Sequence, residues 1–178
     1  MTTITIRAAL PTEAQALGEL AAATFPLACP EGTLAHDIAD FIATNLTPAH
    51  FAKHLNDPLA HVTVADNGTE LLGYSLVLGG EVALPDPGNK IVGSPTWYLS
   101  KLYARQSAHG TGIASKLVDA AAAFVQQSGG QSMWLATNVG NDRAVKFYRK
   151  YGFTQRGEKI FMVGAGAHHD YTFELMLD

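Results

Sequence analysis

The stretch Trp97–Val125, WYLSKLYARQSAHGTGIASKLVDAAAAFV, constrains the fold of this chain more than any other. Its first part, from Trp97 to Ala104, mixes aromatic and apolar residues and predicts a strand. Its last part puts Ile113, Leu117, Ala121, Phe124 and Val125 on one helical face. Between them, His109-Gly110-Thr111-Gly112-Ile113-Ala114 forms a turn of small residues that runs directly into the helix. The first turn of a helix leaves backbone N–H groups unpaired at the positive end of the dipole, and anions bind there. Residues without bulky side chains let a phosphate approach those groups closely. We therefore read the turn as a cradle for a pyrophosphate and the strand before it as the wall along which the rest of that ligand lies.

A chain of 178 residues, 47% hydrophobic and 16% charged, suits one globular domain spanning residues 1–178 with a core of its own. A net charge of −4 argues against a nucleic-acid partner and permits a cationic substrate. Cys29 is the sole cysteine, which excludes a disulfide framework and a cysteine zinc site. The opening MTTITIRAAL lacks a basic segment followed by an apolar core, and no apolar run approaches a membrane span. A cytoplasmic protein with no membrane association is expected.

Read in order, Ile4 and Ile6 begin a short strand, and Pro11-Thr12-Glu13 opens a helix that ends before Pro26. Leu34, Ile38, Phe41 and Ile42 have helical spacing, and Thr47-Pro48 caps a further short helix through Leu55. Asp66-Asn67-Gly68 between two apolar runs predicts a hairpin. Gly79 to Thr96, with Pro85, Pro87, Gly88 and Pro95, reads as a mobile loop. After the central helix comes a buried strand, Gln131 to Asn138. A helix follows, capped by Asn141 or Asp142, with Ala144, Phe147, Tyr148 and Tyr151 inward and Gly152 at its end. Phe153 returns as a strand, and Asp170 to Leu177 pairs as the last one. This order gives an α/β domain with a mixed sheet.

The glycine turn fits neither of two common phosphate-binding patterns. Gly110 to Lys116 does not match a P-loop. A dinucleotide fingerprint needs a third glycine where Ser115 stands, and an acidic residue where the next strand has Ala136, Thr137 and Asn138. The turn and its helix instead resemble motif A of the GNAT acetyltransferases, in which Gln or Arg is followed by two residues, Gly, one residue, and Gly or Ala. Asn138, Asn141, Ala144, Phe147-Tyr148, Lys150 and Gly152-Phe153 resemble motif B of the same family. Gly73-Tyr74 in the hairpin and the opening Ile6-Arg7-x-Ala9 fit as well, so the resemblance covers nearly the whole chain. It implies a single-domain GNAT fold, a mixed and mostly antiparallel central sheet of about seven strands flanked by helices.

The family acetylates primary amines with acetyl-CoA, needs no metal, and commonly forms homodimers. Carried over by position, the backbone of Leu102, Tyr103 and Ala104 holds the pantetheine amides. His109, Gly110, Thr111, Gly112, Ile113, Ala114 and Ser115 cradle the pyrophosphate. Asn138, Asn141 and Tyr148 lie along the acetyl end, and Tyr148 donates to the departing sulfur; packing alone is the alternative for its ring. A backbone donor near Leu102 would meet the oxyanion. A thiol has a pKa near 8.5 and a phenol one near 10, so full proton transfer from Tyr148 is uphill and a hydrogen bond is most of its help.

Two positions depart from the family pattern. His109 replaces Gln or Arg, where mainly backbone is needed. Ser100 stands where many relatives carry a Glu general base, and serine cannot serve alone; Tyr98, a histidine or ordered water are the alternatives. His50 and His54 have metal-compatible spacing but neither a glutamate nor a third ligand, and Cys29 reads as structural. His168 and His169 fall in a Gly-Ala loop before the last strand, where a solvated role is the usual one. Glu31, Asp37, Asp40, Glu81 and Asp86 outnumber Lys53 and Lys90 in the acceptor-side segments, an acidic rim that suits a cationic amine. The segment after Thr24 resembles, diffusely, bacterial spermidine and spermine acetyltransferases. A polyamine acceptor is therefore expected, with a peptide α-amine, an amino acid or an amino-antibiotic as alternatives, and a non-catalytic acetyl-CoA-binding module as the contrasting class.

Overall fold

The described residues form seven strands: β1 (Thr5–Ala8), β2 (Ala60–Asp66), β3 (Leu71–Leu78), β4 (Thr96–Ala104), β5 (Ser132–Asn138), β6 (Thr154–Val163) and β7 (Gly166–Met176). Among the described residues, five α-helices join them: α1 (Ala14–Ala28), α2 (Ala35–Asn45), α3 (Pro48–Leu55), α4 (Ile113–Gln127) and α5 (Asp142–Tyr151). These come from a computed structural model that describes residues 3–86, 88–163 and 165–178. The strands form one sheet in the order β1-β2-β3-β4-β5-β7-β6. Every pairing is antiparallel except that of β4 with β5. The expected seven-stranded, mostly antiparallel α/β sheet is the observed one.

Helices cover both faces. On one, Leu17, Leu20, Phe25 and Phe51 of α1 and α3 pack on Tyr74 and Leu76. On the other, Val118, Val125 and Tyr148 of α4 and α5 pack on Val77, Leu135 and Phe173. This double cover explains why β3 is buried from Leu71 to Val77 without alternation. No helix among the described residues is long and apolar enough to cross a membrane.

The feature that positions the site is a split in the sheet. β4 and β5 pair only from Thr96 to Tyr98 against Ser132 to Trp134. Beyond that point β4 stays on β3 as far as Ala104, while β5 stays on β7 as far as Asn138. Leu99–Ala104 thus has one edge with no ladder partner, and the N–H and C=O groups on that edge are open to a ligand. The β3–β4 register also slips: Leu76 faces Lys101 but Val77 faces Leu99, so Ser100 is a bulged, extra residue.

Three expectations change. Helix α1 runs through Pro26 to Ala28 rather than stopping before it. Proline removes one N–H and crowds the preceding turn, but only two residues remain to be held, and Cys29 N bonds the Pro26 carbonyl at 3.4 Å. Strand β7 begins at Gly166, so His168 and His169 lie within the sheet, not in a loop. The Gly79–Thr96 segment is tethered, not loose. A short turn spans Gly80–Ala83, and Lys90 N bonds Arg156 O. The buried carboxylate of Glu174 accepts from Val92 N and Gly93 N at 2.8–3.0 Å and from Arg156 Nε at 2.8 Å. Pro87 lies outside the described residues.

Candidate active site

Two clefts meet at the split. The first runs along the end of β4 and the start of α4, lined by Leu102, Tyr103, Ala104, His109, Gly110, Gly112, Ile113, Ala114 and Ser115, with Arg143, Ala144, Phe147, Tyr148 and Lys150 of α5 opposite. The second opens between the parted strands, lined among others by Phe25, Cys29, Tyr98, Ser100, Asn138, Asn141, His168 and Asp170. Leu102, Tyr103, Ala144 and Tyr148 line both clefts, so Tyr148 stands at their junction.

The cradle follows from local sequence. Gly110 (φ 78°) and Gly112 (φ 81°) hold left-handed backbone, which glycine adopts without penalty, and open space surrounds the position of a Cβ at each. Conformation rather than room is what requires glycine there. The first N–H to close a helical bond is that of Lys116, to Gly112 O at 3.2 Å. Among the described residues, the N–H groups from Gly112 to Ser115 have no acceptor, which is the arrangement an anion needs.

His109 holds this cradle to the strand. Arg143 Nη1 donates to His109 Nδ1 at 2.6 Å, and the ring's Nε2 lies 3.0 Å from the Ala104 carbonyl. A guanidinium can only donate, so Nδ1 accepts and the Nε2 proton points at Ala104. His109 is thus a brace between β4 and α5, and the Ala104 carbonyl, expected to face pantetheine, is already bonded. Thr111 does not line the cleft, because its hydroxyl turns back to Ala108 O at 2.6 Å. Arg143 and Lys150 were not foreseen as site residues; together they put positive charge beside the anion cradle.

Asn138 and Asn141 lie on the second cleft rather than the first. Asn138 Oδ1 accepts from Gly140 N at 2.8 Å, and Asn141 Oδ1 caps α5 by accepting from Ala144 N at 3.2 Å. Tyr148, 8% exposed, packs its ring among Phe147, Phe153 and Phe173. Burial raises its phenol well above the ordinary value. Its proton is therefore held tightly at any physiological pH, which suits a hydrogen-bond donor and excludes it as a base. Tyr98 is likewise pushed up to about 12, by burial first and then by Asp170 and Asp86.

The acceptor-side chemistry differs from the expected rim. Asp86 pairs with Lys159 at 3.3 Å and Asp37 with His36 at 3.4 Å. None of the five rim acids lines the cleft; the carboxylate that does is Asp170 on β7. Asp170 is 4% exposed, Oδ1 is fully buried, and neither oxygen has a hydrogen-bond partner among the described residues. Burial raises it to about 6, against the opposing influence of Lys159 and His169. His168, two residues earlier on the same strand face, also lines the cleft, whereas His169 points outward. Cys29 lines it too, with its thiol bonded to Phe25 O at 3.4 Å and raised by burial. His50 and His54 serve α3 instead: His50 Nδ1 lies 2.6 Å from Thr47 Oγ1, and His54 packs edge-on to Phe51.

A split sheet with an anion cradle on one side and a second cleft on the other, meeting at a tyrosine, suits a transferase that brings a phosphate-bearing donor to a second substrate. The acetyltransferase (GNAT) family model matches residues 16–153, and the chain belongs to that family. Uncharacterised N-acetyltransferases of Mycobacterium tuberculosis (strain ATCC 25618 / H37Rv) and Mycobacterium bovis are each 36% identical over 160 residues, covering 90% of this chain and 95% of theirs. Among solved structures, the PaiA N-acetyltransferase of Thermoplasma acidophilum in complex with coenzyme A superposes with a TM-score of 0.77 at 16% identity, over 98% of this chain and 99% of that one. A spermidine/spermine N-acetyltransferase of Vibrio cholerae gives 0.66 at 14% identity, over 98% and 95%. At those identities the structures establish the fold alone. This chain is an N-acetyltransferase, and GNAT enzymes take their acetyl group from acetyl-CoA.

Proposed function

We propose that this enzyme acetylates a primary amine of a small cationic acceptor, with a polyamine the first candidate. The observation that carries the reading is the make-up of the second cleft. It is walled by Phe25, Tyr98, Tyr103 and Tyr148, holds the Asp170 carboxylate, and has no Lys or Arg among its described lining residues. Aromatic faces and a carboxylate both favour ammonium groups over neutral or anionic ones.

Acetyl-CoA fits the first cleft. The free N–H groups from Gly112 to Ser115, with Arg143 and Lys150 nearby, would hold its phosphates, and the open edge of β4 from Leu99 would hold its pantetheine. It supplies a thioester carbonyl for the amine to attack. The protein positions that carbonyl at the junction and keeps water out with the ring cluster around Tyr148. Tyr148 offers its hydroxyl proton to the departing sulfur as a hydrogen bond, since burial makes full transfer costly. Asn141 fixes the start of α5, and with it the angle at which Tyr148 enters.

The test is coenzyme A release from acetyl-CoA with spermidine, spermine, lysine, short peptides and an aminoglycoside, using wild type and Tyr148→Phe. We expect turnover with a polyamine and a kcat about 10- to 100-fold lower in the variant, with acetyl-CoA affinity within about twofold. Turnover confined to peptides, or no turnover despite acetyl-CoA binding, overturns the acceptor assignment.

A further inference from the structure

We infer that Asp170 is the catalytic base of this enzyme, the carboxylate that takes the proton shed by the acceptor nitrogen as the amide bond forms. The inference deepens the reading of an amine acetyltransferase and rests on it. Three observations carry it. Ser100, on β4 where it lines the acceptor cleft, is a bulged residue whose hydroxyl is no base; Lys101 Nζ lies 3.4 Å from it. Asp170 is the carboxylate among the described lining residues of the acceptor cleft, nearly fully buried, and neither oxygen has a hydrogen-bond partner among the described residues. A buried carboxylate left without partners costs stability, and such groups persist where a ligand meets them.

The strand register places it. Asp170 faces Asn138 across β5 and Lys159 across β6. Cross-strand partners share a face, so Asp170, Thr172 and Glu174 lie with Asn138, Ala136 and Trp134 on one side of the sheet. Leu135 and Phe173 pack on the opposite side, with Tyr148 of α5. Asp170 and Tyr148 therefore come to the split from opposite faces. A base on the acceptor side and a hydrogen-bond donor on the donor side is the division of labour that amide formation requires.

The proton balance is as follows. One amine of the acceptor enters as the free base, having left a proton in water. Its lone pair forms the N–C bond, the C–S bond breaks, and the sulfur keeps that electron pair and meets the Tyr148 hydroxyl. The nitrogen then carries one proton too many for an amide, and Asp170 takes it and returns it to solvent. A carboxylate is a poor base toward a free ammonium of pKa near 10, but a nitrogen already bonded to the carbonyl carbon is a much stronger acid. The charged and titratable groups that act on Asp170 are few. Lys159 and His169 stabilise its anion, Tyr98 and Tyr103 on β4 have phenols raised partly by it, and His168 shares its strand face. Burial leaves its midpoint at about 6, so it is ready to accept above that pH.

The experiment compares wild type, Asp170→Asn and His168→Gln, with acetyl-CoA affinity measured by calorimetry and kcat/KM for the acceptor followed from pH 5 to 9. Asp170→Asn is expected to lower kcat by at least about 100-fold while the affinity for acetyl-CoA stays within about twofold. In wild type, log kcat/KM should climb with a slope of about two below the Asp170 midpoint and about one above it, as base and amine both lose protons and then the amine alone. In Asp170→Asn the slope should be about one throughout, a change that a merely structural aspartate would not produce. A kcat within about threefold of wild type, an unchanged break in the profile, or the same effects from His168→Gln overturns the inference. Failure of the wild type to acetylate any amine, with acetyl-CoA binding intact, removes the proposed acceptor reading itself and this inference with it.

Discussion

Replacing Asp170 with asparagine should stop turnover and yet make the fold more stable at neutral pH. The ordinary carboxyl value is 3.8, and burial holds Asp170 at about 6 in the folded protein. The native state therefore binds this proton more tightly than the unfolded chain, so stability falls as pH rises between the two values. The penalty is nearly absent below 3.8 and complete above about 6. A gap of about two pK units at 1.36 kcal/mol each gives a cost of roughly 3 kcal/mol at pH 7.5, with only a small part of it present at pH 4. Asparagine has nearly the same shape and cannot ionise. Urea unfolding of wild type and Asp170→Asn at both pH values isolates the effect, because other titrating groups cancel in the difference. The variant should gain about 2 kcal/mol relative to wild type between pH 4 and pH 7.5, or on the order of 4–8 °C in melting temperature. A stability difference that does not change with pH would refute the reasoning, for it would mean that the carboxylate is as well accommodated in the fold as in water.

Two further outcomes follow from the cradle and the tether. Gly112→Ala forces a side-chain-bearing residue into left-handed backbone at φ 81° with nothing nearby to relieve or worsen it. It should cost about 1–2 kcal/mol in urea unfolding and weaken acetyl-CoA binding in calorimetry; an unchanged stability would show that the turn can relax. Glu174→Gln removes a buried charge. Burial pushes that group upward, but hydrogen bonds from Gly93, Val92, Ser132 and Arg156 outweigh it and leave it below 4.5. Its stabilisation should be present above that value and lost as pH falls through the folded midpoint. The variant should be on the order of 3 kcal/mol less stable at pH 7, with faster proteolysis within the loop before β4.

The parts of the site that were legible in the sequence are those written in neighbouring residues. A strand, two glycines and an apolar helical face define the cradle within one stretch, and Asn141 caps α5 through a bond only three residues long. The hairpin at Asp66-Asn67-Gly68 is equally local: Asn67 Oδ1 accepts from Thr69 N and Glu70 N at 2.9 Å, and Gly68 takes φ 85°. What stayed hidden depends on contacts between distant residues. Arg143 reaches the cradle through His109, 34 positions away. The split between β4 and β5 exists because β7 pairs with β5 through Asn138 while β4 follows β3, and no short segment encodes that choice.

Asp170 shows the same limit and what it implies for the chemistry. The polar residues His168, Asp170, Thr172 and Glu174 alternate with Tyr171, Phe173 and Leu175, and such a stripe usually marks a solvated strand face. Here part of the stripe is covered, because Val92 and Gly93 are drawn onto it by Glu174. Four polar side chains on a buried face need four explanations. Glu174 has its tether, whereas the Thr172 hydroxyl at the centre of the sheet is buried without a hydrogen-bond partner among the described residues. Asp170 likewise has no hydrogen-bond partner among the described residues, but it and His168, unlike Thr172, open onto the cleft, where a ligand can meet them. A base needs reach and environment rather than a fixed place in the chain, so a carboxylate on β7 can do the work for which Ser100 on β4 lacks the chemistry. The stability cost at neutral pH is what keeping that carboxylate ionised in a nearly fully buried position requires, and the same substitution that relieves it should remove the activity.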